Sequence, residues 1–292
     1  MIIDSHVHIF SSQIITNVSA KAEMVKLLGL QADQARERIG ADALEAECRA
    51  AGVEACLILP TAKAQDVEKI NRISQSTARK KDFLYSAGTL HPDYPHNREE
   101  LFRLKSEGVR GIKLCSFSQG FALNAAKTRR LFDMIQDLNV NHAGRFFVIL
   151  DTFYKADLYF GTAPKYNTAP SDFGKLVRNY PKIKFIAAHM GGLTAPVEDI
   201  CRYLPKADNF YMDTSNAAHT LEEKEFVRLL ELHGPEHILF GTDWPWFGYA
   251  QEIELIDRLL AYAGFNEEEK HRVFCGNISD LIGIEEYPAQ DF

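Results

Sequence analysis

The sequence has few cysteines and no paired cysteine motif. Its five cysteines are odd in number and widely spaced, and none lies in a Cys-x-x-Cys motif: Cys48, Cys56, Cys115, Cys201 and Cys275. Disulfide frameworks are typical of secreted chains with an even number of closely spaced cysteines. The cysteine pattern therefore argues against a disulfide-rich fold and indicates a reducing compartment, for which the cytoplasm is the simplest choice.

Basic clusters, long apolar runs and a leader-like start are also missing. The formal net charge is −7, and the longest run of Lys and Arg is the short segment 79–81, so we expect no nucleic-acid partner. No run of about 18 apolar residues is present, so we expect no membrane span. The first residues show no cationic segment followed by a long apolar one, so we expect no secretory signal.

A glycine-rich phosphate fingerprint, usual after the first strand of a doubly wound sheet, is absent as well. What the 292 residues contain is a regular alternation of short apolar runs with segments of helical spacing. Eight such units predict an α/β fold, a closed (β/α)8 barrel forming a single domain over residues 1–292, with an open sheet as the alternative. The strand-like runs are residues 2–4, 53–60, 83–90, 109–115, 145–151, 183–189, 210–214 and 238–243.

Two long stretches interrupt this alternation. Residues 11–38 form an insertion after the first run, with helical spacing in 21–28, and residues 152–170 form a long loop after the fifth. In a barrel both would leave the carboxyl ends of strands, the face that carries active sites. Long loops at this face often act as lids or substrate walls.

The opening stretch MIIDSHVHIF places polar side chains among apolar ones. Side chains alternate between the faces of a strand, so Asp4, His6 and His8 are predicted to share one face and Val7 and Ile9 the other. Two imidazoles held this close at a strand end suit a shared divalent metal ion. Two hydrogen-bonded histidines without a metal are the alternative that this pattern alone leaves open.

Polar residues also end three later apolar runs. Asp151 ends the fifth run in FFVILD, His189 ends the sixth in FIAAHMGG, and Asp243 ends the eighth in ILFGTDWPW. The carboxyl ends of barrel strands converge on one mouth, so these side chains are expected to meet there. For the two aspartates, helix N-capping is the alternative.

Taken together, HVH, AHMGG and GTDWPW resemble the motifs of the amidohydrolase superfamily. The similar branch is the amidohydrolase-related group that contains amino-carboxymuconate-semialdehyde decarboxylase and resorcylate-type decarboxylases. The resemblance extends to the closing CGNISDLIGI and covers nearly the whole chain. It implies a distorted TIM barrel that binds one divalent metal ion at its mouth, with zinc as the expected ion and manganese or magnesium as alternatives.

Carried over by position, the resemblance makes His6 and His8 metal ligands from the first strand and Asp243 the ligand from the eighth. His189 would orient or deprotonate the reacting water, or bind the metal directly. The family usually places a histidine ligand on the fifth strand, whereas this chain has Asp151 there. A carboxylate can still bind zinc and would favour manganese or magnesium.

Other candidates carry weaker patterns. Lys113, in GIKLC, is interpreted as a contact to a substrate anion or an ion-pair partner, with a structural lysine as the alternative. His91, Tyr154 and Trp244 are predicted to contact substrate. Their alternatives are helix capping, a packed loop and packing beneath the pocket, respectively. The histidines at positions 96, 142, 219, 233, 237 and 271 are expected at the surface.

Three functions fit these residues. The leading one is metal-dependent hydrolysis of a small amide, lactone or ester that bears a carboxylate, with Asp243 moving the proton and His189 and Lys113 stabilising negative charge. The second is non-oxidative decarboxylation of an aromatic or muconate-type acid at the same site. The third is a non-catalytic metal- or ligand-binding barrel. The expected partner is a small-molecule substrate, and a homodimer is one expectation for the assembly.

Overall fold

Eight parallel strands form the centre of the molecule in the computed structural model, which describes residues 1–204 and 206–284. The predicted domain end at residue 292 lies outside this range. The third strand consists of two short segments separated by Ala87. The strands are Ile3–Val7, Ala55–Ile58, Leu84–Ser86 with Gly88–Thr89, Gly111–Leu114, Phe147–Leu150, Lys184–Ala187, Phe210–Asp213 and Ile238–Leu239.

Hydrogen bonds join these strands in chain order and close them into a ring. The second strand pairs with the segment Leu84–Ser86, while Gly88–Thr89 pairs with the fourth strand. Strands four to eight follow in sequence. The first and eighth strands meet where Ser5 N donates to Phe240 O at 2.9 Å and His8 N donates to Trp244 O at 2.8 Å. The predicted (β/α)8 barrel is therefore confirmed.

Helices cover the outside of the ring. One follows each strand, and their apolar faces pack on the outward side chains of the strands, such as Ile112, Val148 and Phe185. These eight helices are Gly40–Ala51, Val67–Ala78, Asn97–Ser106, Ala126–Asn141, Pro170–Asn179, Val197–Tyr203, Glu223–His233 and Tyr249–Tyr262. The chain then continues through Glu267–His271, the π-helical segment Arg272–Gly276 and Asn277–Ile282.

The barrel interior is a packed core at the amino-terminal end of the strands. Ile3, Ile149 and Leu239 point inward, and Ile278 and Leu281 of the last helix pack against the same cluster. This leaves the carboxyl-terminal end as the open mouth, where the polar strand ends lie. Within the described residues, no helix is both long and apolar enough to cross a membrane.

The 11–38 insertion contains three short helices, Ser12–Ser19, Ala22–Leu28 and Ala32–Ala35. The second of these agrees with the helical spacing in 21–28, whereas the sequence predicts neither the first nor the third. The loop after the fifth strand contains the short helix Asp157–Phe160 and the 3₁₀ turn Pro164–Tyr166. Both segments contribute to one apolar cluster at the mouth, in which Ile15 and Met24 meet Phe153 and Trp246.

Candidate metal centre

The two first-strand histidines point into the barrel mouth, whereas Asp4 does not. The pairing register between the first two strands shifts between Asp4 and Val7, so alternation is broken within this short strand. Asp4 is turned to Thr242, whose backbone N lies 3.1 Å from its carboxylate. The prediction that Asp4 shares a face with His6 and His8 is therefore wrong, because a strand irregularity separates them.

The three histidines of the mouth are each held through Nδ1. His6 Nδ1 donates to Asp213 Oδ2 at 2.9 Å, and His8 Nδ1 donates to Leu59 O at 3.1 Å. His189 Nδ1 donates to Ser215 O at 2.9 Å. At His6 and His8, this carboxylate or carbonyl on Nδ1 fixes the tautomer that leaves Nε2 as the free ligand atom, as second-shell partners do at metal sites.

The Nε2 atoms of these histidines face two carboxylates. The Nε2 atoms of His6 and His8 lie 3.1 Å apart. Asp243 Oδ1 lies 3.5 Å from His8 Nε2 and 3.9 Å from His6 Nε2. Asp151 Oδ1 lies 3.3 Å from His189 Nε2. Four strand ends thus bring their polar side chains together, as expected from the sequence.

These atoms form two overlapping groups suited to a metal ion. His6, His8 and Asp243 form one group, and His6, Asp151 and His189 form the other, with all ligand atoms in each group within 4.8 Å of one another. Zinc bonds of about 2.1 Å in a tetrahedron place neighbouring ligands about 3.4 Å apart. The separations in the first group lie close to that edge length.

Electrostatics at the two first-strand histidines favour a cation. Burial, followed by nearby Lys113, lowers the pKa of His6 to about 4, and burial and His6 lower the pKa of His8 well below its usual value. Both rings are therefore neutral, with Nδ1–H donating and a lone pair on each Nε2. The two lone pairs face each other at 3.1 Å and repel, and Lys113 Nζ also lies 3.3 Å from His6 Nε2. A divalent ion between the two Nε2 atoms would remove this repulsion, so the donor set fits a metal.

Asp151 carries a negative charge and His189 a positive one. Burial opposes ionisation of Asp151, but Lys113 and His189 outweigh it and hold its pKa well below the usual range. Burial lowers the pKa of His189, but the hydrogen bond and charge of Asp151 outweigh it and raise the value to about 9. Burial raises the pKa of Asp243 to about 7. The site thus contains a group that exchanges a proton near neutral pH.

Backbone conformation at the mouth is unusual. His189 and Asp243 adopt positive φ angles of 58° and 65°, a conformation that costs a non-glycine residue free energy and is common at functional sites. Gly241 lies beneath them. A Cβ atom there would approach His6 Cβ to 2.9 Å, so only glycine allows the eighth strand to come this close to the first.

Two residues of the site were not singled out in the sequence. Asp213, at the end of the seventh strand, accepts hydrogen bonds from His6 Nδ1 and from the backbone N of His189 at 2.9 Å each. Ser215 Oγ donates to Asp213 and lies 3.0 Å from His6 Nδ1. Like Asp151, Asp213 is a carboxylate at the end of an apolar stretch. A search for a carboxylate at the end of every predicted strand would therefore have identified it.

Lys113 lies under the floor of the site. Its side chain is completely buried, and its ammonium group is 3.2 Å from Asp151 Oδ2 and 3.3 Å from His6 Nε2. Of the two interpretations given for this lysine, the structure supplies an ion-pair partner in Asp151. It does not place Lys113 on the wall of the cavity.

The three residues predicted to contact substrate lie away from the cavity. Both ring nitrogens of His91 are used, with Nε2 3.1 Å from Gln119 O and Nδ1 accepting from Asp93 N at 3.1 Å. Trp244 is completely buried behind the mouth in the cluster between strands and helices. Tyr154 packs against the outer core and does not line the cavity. The structure thus brings none of the three to the metal centre.

Three histidines expected at the surface are not there. His233 is completely buried, His237 is 8% exposed with Nδ1 2.8 Å from Phe210 O, and His219 is partly buried against Glu252 at 2.7 Å. The sequence around these three residues does not show whether they lie on the buried or the exposed face of their helical segments. His96 and His271 are exposed as expected.

A cavity of about 280 Å³ opens above the metal centre. His8, Asp151, His189 and Asp243 form its base, and apolar side chains from the insertion and the loop after the fifth strand form its roof and walls. Trp246 is the tryptophan that lines it. The cavity is large enough for a small organic substrate in contact with the centre.

A (β/α)8 barrel with a buried histidine–carboxylate centre at its mouth defines a class of metal-dependent enzymes. The chain belongs to the amidohydrolase family, whose model matches residues 3–284. The resemblance of HVH, AHMGG and GTDWPW to the amidohydrolase motifs is therefore confirmed as family membership. No curated protein sequence matches the chain.

Solved structures share the fold at low sequence identity. A dihydroxybenzoic acid decarboxylase from Polaromonas sp. JS666, solved with manganese and 2-nitroresorcinol, is 17% identical with a TM-score of 0.69, and 98% of each chain is covered. An amidohydrolase from Burkholderia multivorans with bound zinc is 13% identical with a TM-score of 0.69, covering 98% of this chain and 100% of that one. A probable 2-pyrone-4,6-dicarboxylic acid hydrolase from Acinetobacter baumannii is 14% identical with a TM-score of 0.64, covering 97% and 99%.

Proposed function

We propose that this protein is a metal-dependent hydrolase that acts on a small amide, lactone or ester. The observation that carries the proposal is the convergence of three imidazole Nε2 atoms and two carboxylates at the base of the cavity. Family membership supports an enzyme of this kind. The related fold of a protein named as a hydrolase gives further support.

His6, His8 and Asp243 would hold the ion, and Asp151 would offer a second carboxylate beside it. Protonated His189 would face the site as a hydrogen-bond donor and not as a ligand. Two imidazoles and a carboxylate form a set that zinc accepts in catalytic sites, while the second carboxylate also suits manganese or magnesium. Zinc and manganese each occur in a structure of related fold. When bound, a divalent ion supplies Lewis acidity, which polarises a carbonyl oxygen and lowers the pKa of water.

The protein's own groups move and hold the proton. Asp243, whose carboxylate lies at the base of the cavity 3.5 Å from His8 Nε2, would accept a proton from the reacting water and later donate it to the leaving group. His189, protonated beside Asp151, presents Nε2–H towards the base of the cavity and stabilises negative charge there. Lys113 acts through Asp151, whose carboxylate it keeps ionised and in place.

Non-oxidative decarboxylation of an aromatic or muconate-type acid is the second candidate. It is favoured by His189, because an imidazolium at the base of the cavity can deliver a proton to carbon. A decarboxylase of related fold supports the same direction. In this reaction His189 or Asp243 would be the proton donor, and the apolar walls would exclude water from the carbanion-like carbon.

The test combines metal content with turnover. The protein, purified without chelator, is analysed for metals and then screened for hydrolysis of small esters, lactones and amides and for carbon dioxide release from aromatic acids. About one equivalent of metal is expected, and Asp243→Asn is expected to reduce any activity found by at least about 100-fold. Asp280→Asn, at an exposed position far from the mouth, is the matched control.

The outcomes separate the candidate functions. Carbon dioxide release without hydrolysis supports the decarboxylase. Metal binding with no turnover in either screen supports a non-catalytic barrel. Activity that survives Asp243→Asn with metal retained contradicts the role of Asp243 as proton acceptor.

We also propose a cytoplasmic protein that acts on a small molecule and assembles as a homodimer. The odd number and wide spacing of the five cysteines support a reducing compartment. Sedimentation analysis of the purified protein would show a single species of twice the chain mass if the assembly is correct.

A further inference from the structure

We infer that the cavity takes a substrate whose non-reacting part is apolar and uncharged, an aryl or branched alkyl group, and that it disfavours a second carboxylate. The inference rests on the proposed function, because it takes the group that meets the metal centre to be the reacting one. It departs from the expectation of a carboxylate held by Lys113, since that lysine does not line the cavity.

The roof of the cavity is apolar because of the 11–38 insertion. Ile14 and Val18 line the cavity from the first helix of the insertion, and Met24 and Leu28 line it from the second. The members of each pair are four residues apart, so each helix turns one apolar stripe towards the cavity. The insertion thus forms the surface that meets the distal part of a substrate.

The walls add aromatic rings. Phe10, Phe117, Phe153, Phe160 and Trp246 all line the cavity. Phe117 and Phe160 lie 5.0 Å apart between ring centroids, and Phe10 and Trp246 lie 6.0 Å apart. Aromatic walls of this kind favour flat rings and branched alkyl groups through burial of apolar surface and ring contacts.

Cationic side chains near the cavity are already bound by the protein. None of the described residues that line it is Lys or Arg. Lys21 donates to Tyr159 O at 2.8 Å and lies 4.0 Å from the centroid of the Phe160 ring. Lys113 lies 3.2 Å from Asp151. Thr61, Ser118 and Asn216 also line the cavity and can offer hydrogen bonds, but they carry no charge. A carboxylate placed against the walls would therefore lose its hydration without gaining an ion-pair partner, which is costly.

The test compares two aromatic acids that differ in one substituent. Isothermal titration calorimetry measures the affinity of the zinc-loaded protein for 3-isopropylbenzoate and for benzene-1,3-dicarboxylate. Each ligand offers one carboxylate to the metal centre, and the second substituent, of similar shape, must lie against the walls. We expect the isopropyl compound to bind at least about tenfold more tightly. Quenching of tryptophan fluorescence reports binding in the cavity, since Trp246 lines it.

A charge placed in the roof provides the matched comparison. Ile14→Lys adds a cation at a lining position that is 43% exposed, whereas Leu158→Lys adds one at a position that is 67% exposed and outside the lining. Ile14→Lys is expected to reduce the preference for the isopropyl compound at least about threefold, and Leu158→Lys to leave it unchanged. Equal affinity of the wild type for the two acids, or a tighter dicarboxylate, overturns the inference.

Failure of this inference can be told apart from failure of the proposed function. A wild-type preference for the isopropyl compound without any turnover leaves the ligand class standing and overturns the enzymatic proposal. Efficient turnover of a dicarboxylate substrate leaves the enzymatic proposal standing and overturns the ligand class.

Discussion

Each of the three site histidines gives its Nδ1–H to a protein acceptor, and this decides which ring nitrogen faces the cavity. The acceptors are the Asp213 carboxylate, the Leu59 carbonyl and the Ser215 carbonyl. Such partners orient a ligand and raise its basicity without touching the ion. At the residue scale, the centre therefore depends on side chains that bind neither metal nor substrate.

Replacing Asp213 tests this dependence. Asp213→Asn keeps the shape of the side chain but removes the charge that accepts from His6 Nδ1 and from the backbone N of His189. We expect the affinity for zinc to fall about 10–100-fold, because the orientation and basicity of His6 are lost. Titration against a competing chelator measures the affinity, and circular dichroism checks the fold. Zinc affinity equal to that of Asp280→Asn would show that Asp213 plays no part in the centre.

His233 provides a second residue-scale prediction, about stability. It is completely buried beside the Phe210 ring, and neither ring nitrogen has a hydrogen-bond partner among the described residues. Burial, with His237 and Lys206 nearby, lowers its pKa from 6.5 to about 4. The unfolded chain therefore binds more protons in this window, so the wild type loses stability as the pH falls from about 6.5 towards 4.

We expect His233→Leu to remove this loss. The difference in unfolding free energy between variant and wild type should grow in favour of the variant by about 2 kcal/mol between about pH 8 and about pH 5. Urea unfolding at the two pH values measures it, and His96→Leu, at an exposed position, is the control. A difference that does not change with pH would show that the pKa of His233 is not lowered in the folded state.

A site residue can be predicted from the sequence when the residues next to it in the chain are enough to determine its position. Asp151, His189 and Asp243 each end an apolar run, and His6 and His8 closely follow the first run, so barrel geometry alone brings them together. Asp4 was assigned to the wrong face because its orientation depends on a register shift in pairing with the second strand. Trp244, His91 and Tyr154 are predicted to contact substrate but do not line the cavity. Their contacts depend on how distant loops pack, which no local pattern specifies.

At the scale of elements, the strands, the main helices and helix Ala22–Leu28 of the insertion follow from periodicity, while helix Ser12–Ser19 of the insertion does not. The apolar runs predicted all eight strands, since each is short, apolar and bounded by polar residues. Helix Ser12–Ser19 buries Ile15 and is capped by Ser11. Its apolar residues span only about two turns, which is too short a stretch to predict a helix from periodicity alone. The element that shapes the cavity is thus the one least evident from the sequence.

Lys21 ties the insertion to the loop after the fifth strand. Its ammonium group donates to Tyr159 O at 2.8 Å and lies over the Phe160 ring. Lys21→Met should free the insertion locally, at a cost of about 1 kcal/mol. Limited proteolysis is expected to cleave within 11–38 several-fold faster while the melting temperature changes little. Lys26→Met is the control, at an exposed position of helix Ala22–Leu28, which Lys21 precedes. Equal cleavage rates in the two variants would show that Lys21 does not hold the insertion against the loop.

At the scale of the whole molecule, the metal centre joins two pairs of neighbouring strands from opposite sides of the ring. His6 comes from the first strand, Asp151 from the end of the fifth, His189 from the sixth and Asp243 from the eighth. The ring is closed between the first and eighth strands by only a few hydrogen bonds, including Asp243 N to His6 O at 3.0 Å. An ion bound by His6 and Asp243 would join this same seam, so metal binding and barrel closure are coupled.

This coupling predicts that metal loading stabilises the entire fold. A ligand that binds only the folded state, at a free concentration about a thousandfold above its dissociation constant, adds about 4 kcal/mol. For a chain of this size, the melting temperature should rise by roughly 5–10 °C when zinc is added to protein stripped with chelator. Differential scanning calorimetry measures the shift, with His6→Ala and the exposed-site variant His96→Ala compared in parallel. His96→Ala should retain the shift and His6→Ala should lose it, whereas equal shifts in both would place the stabilising ion outside the mouth of the barrel.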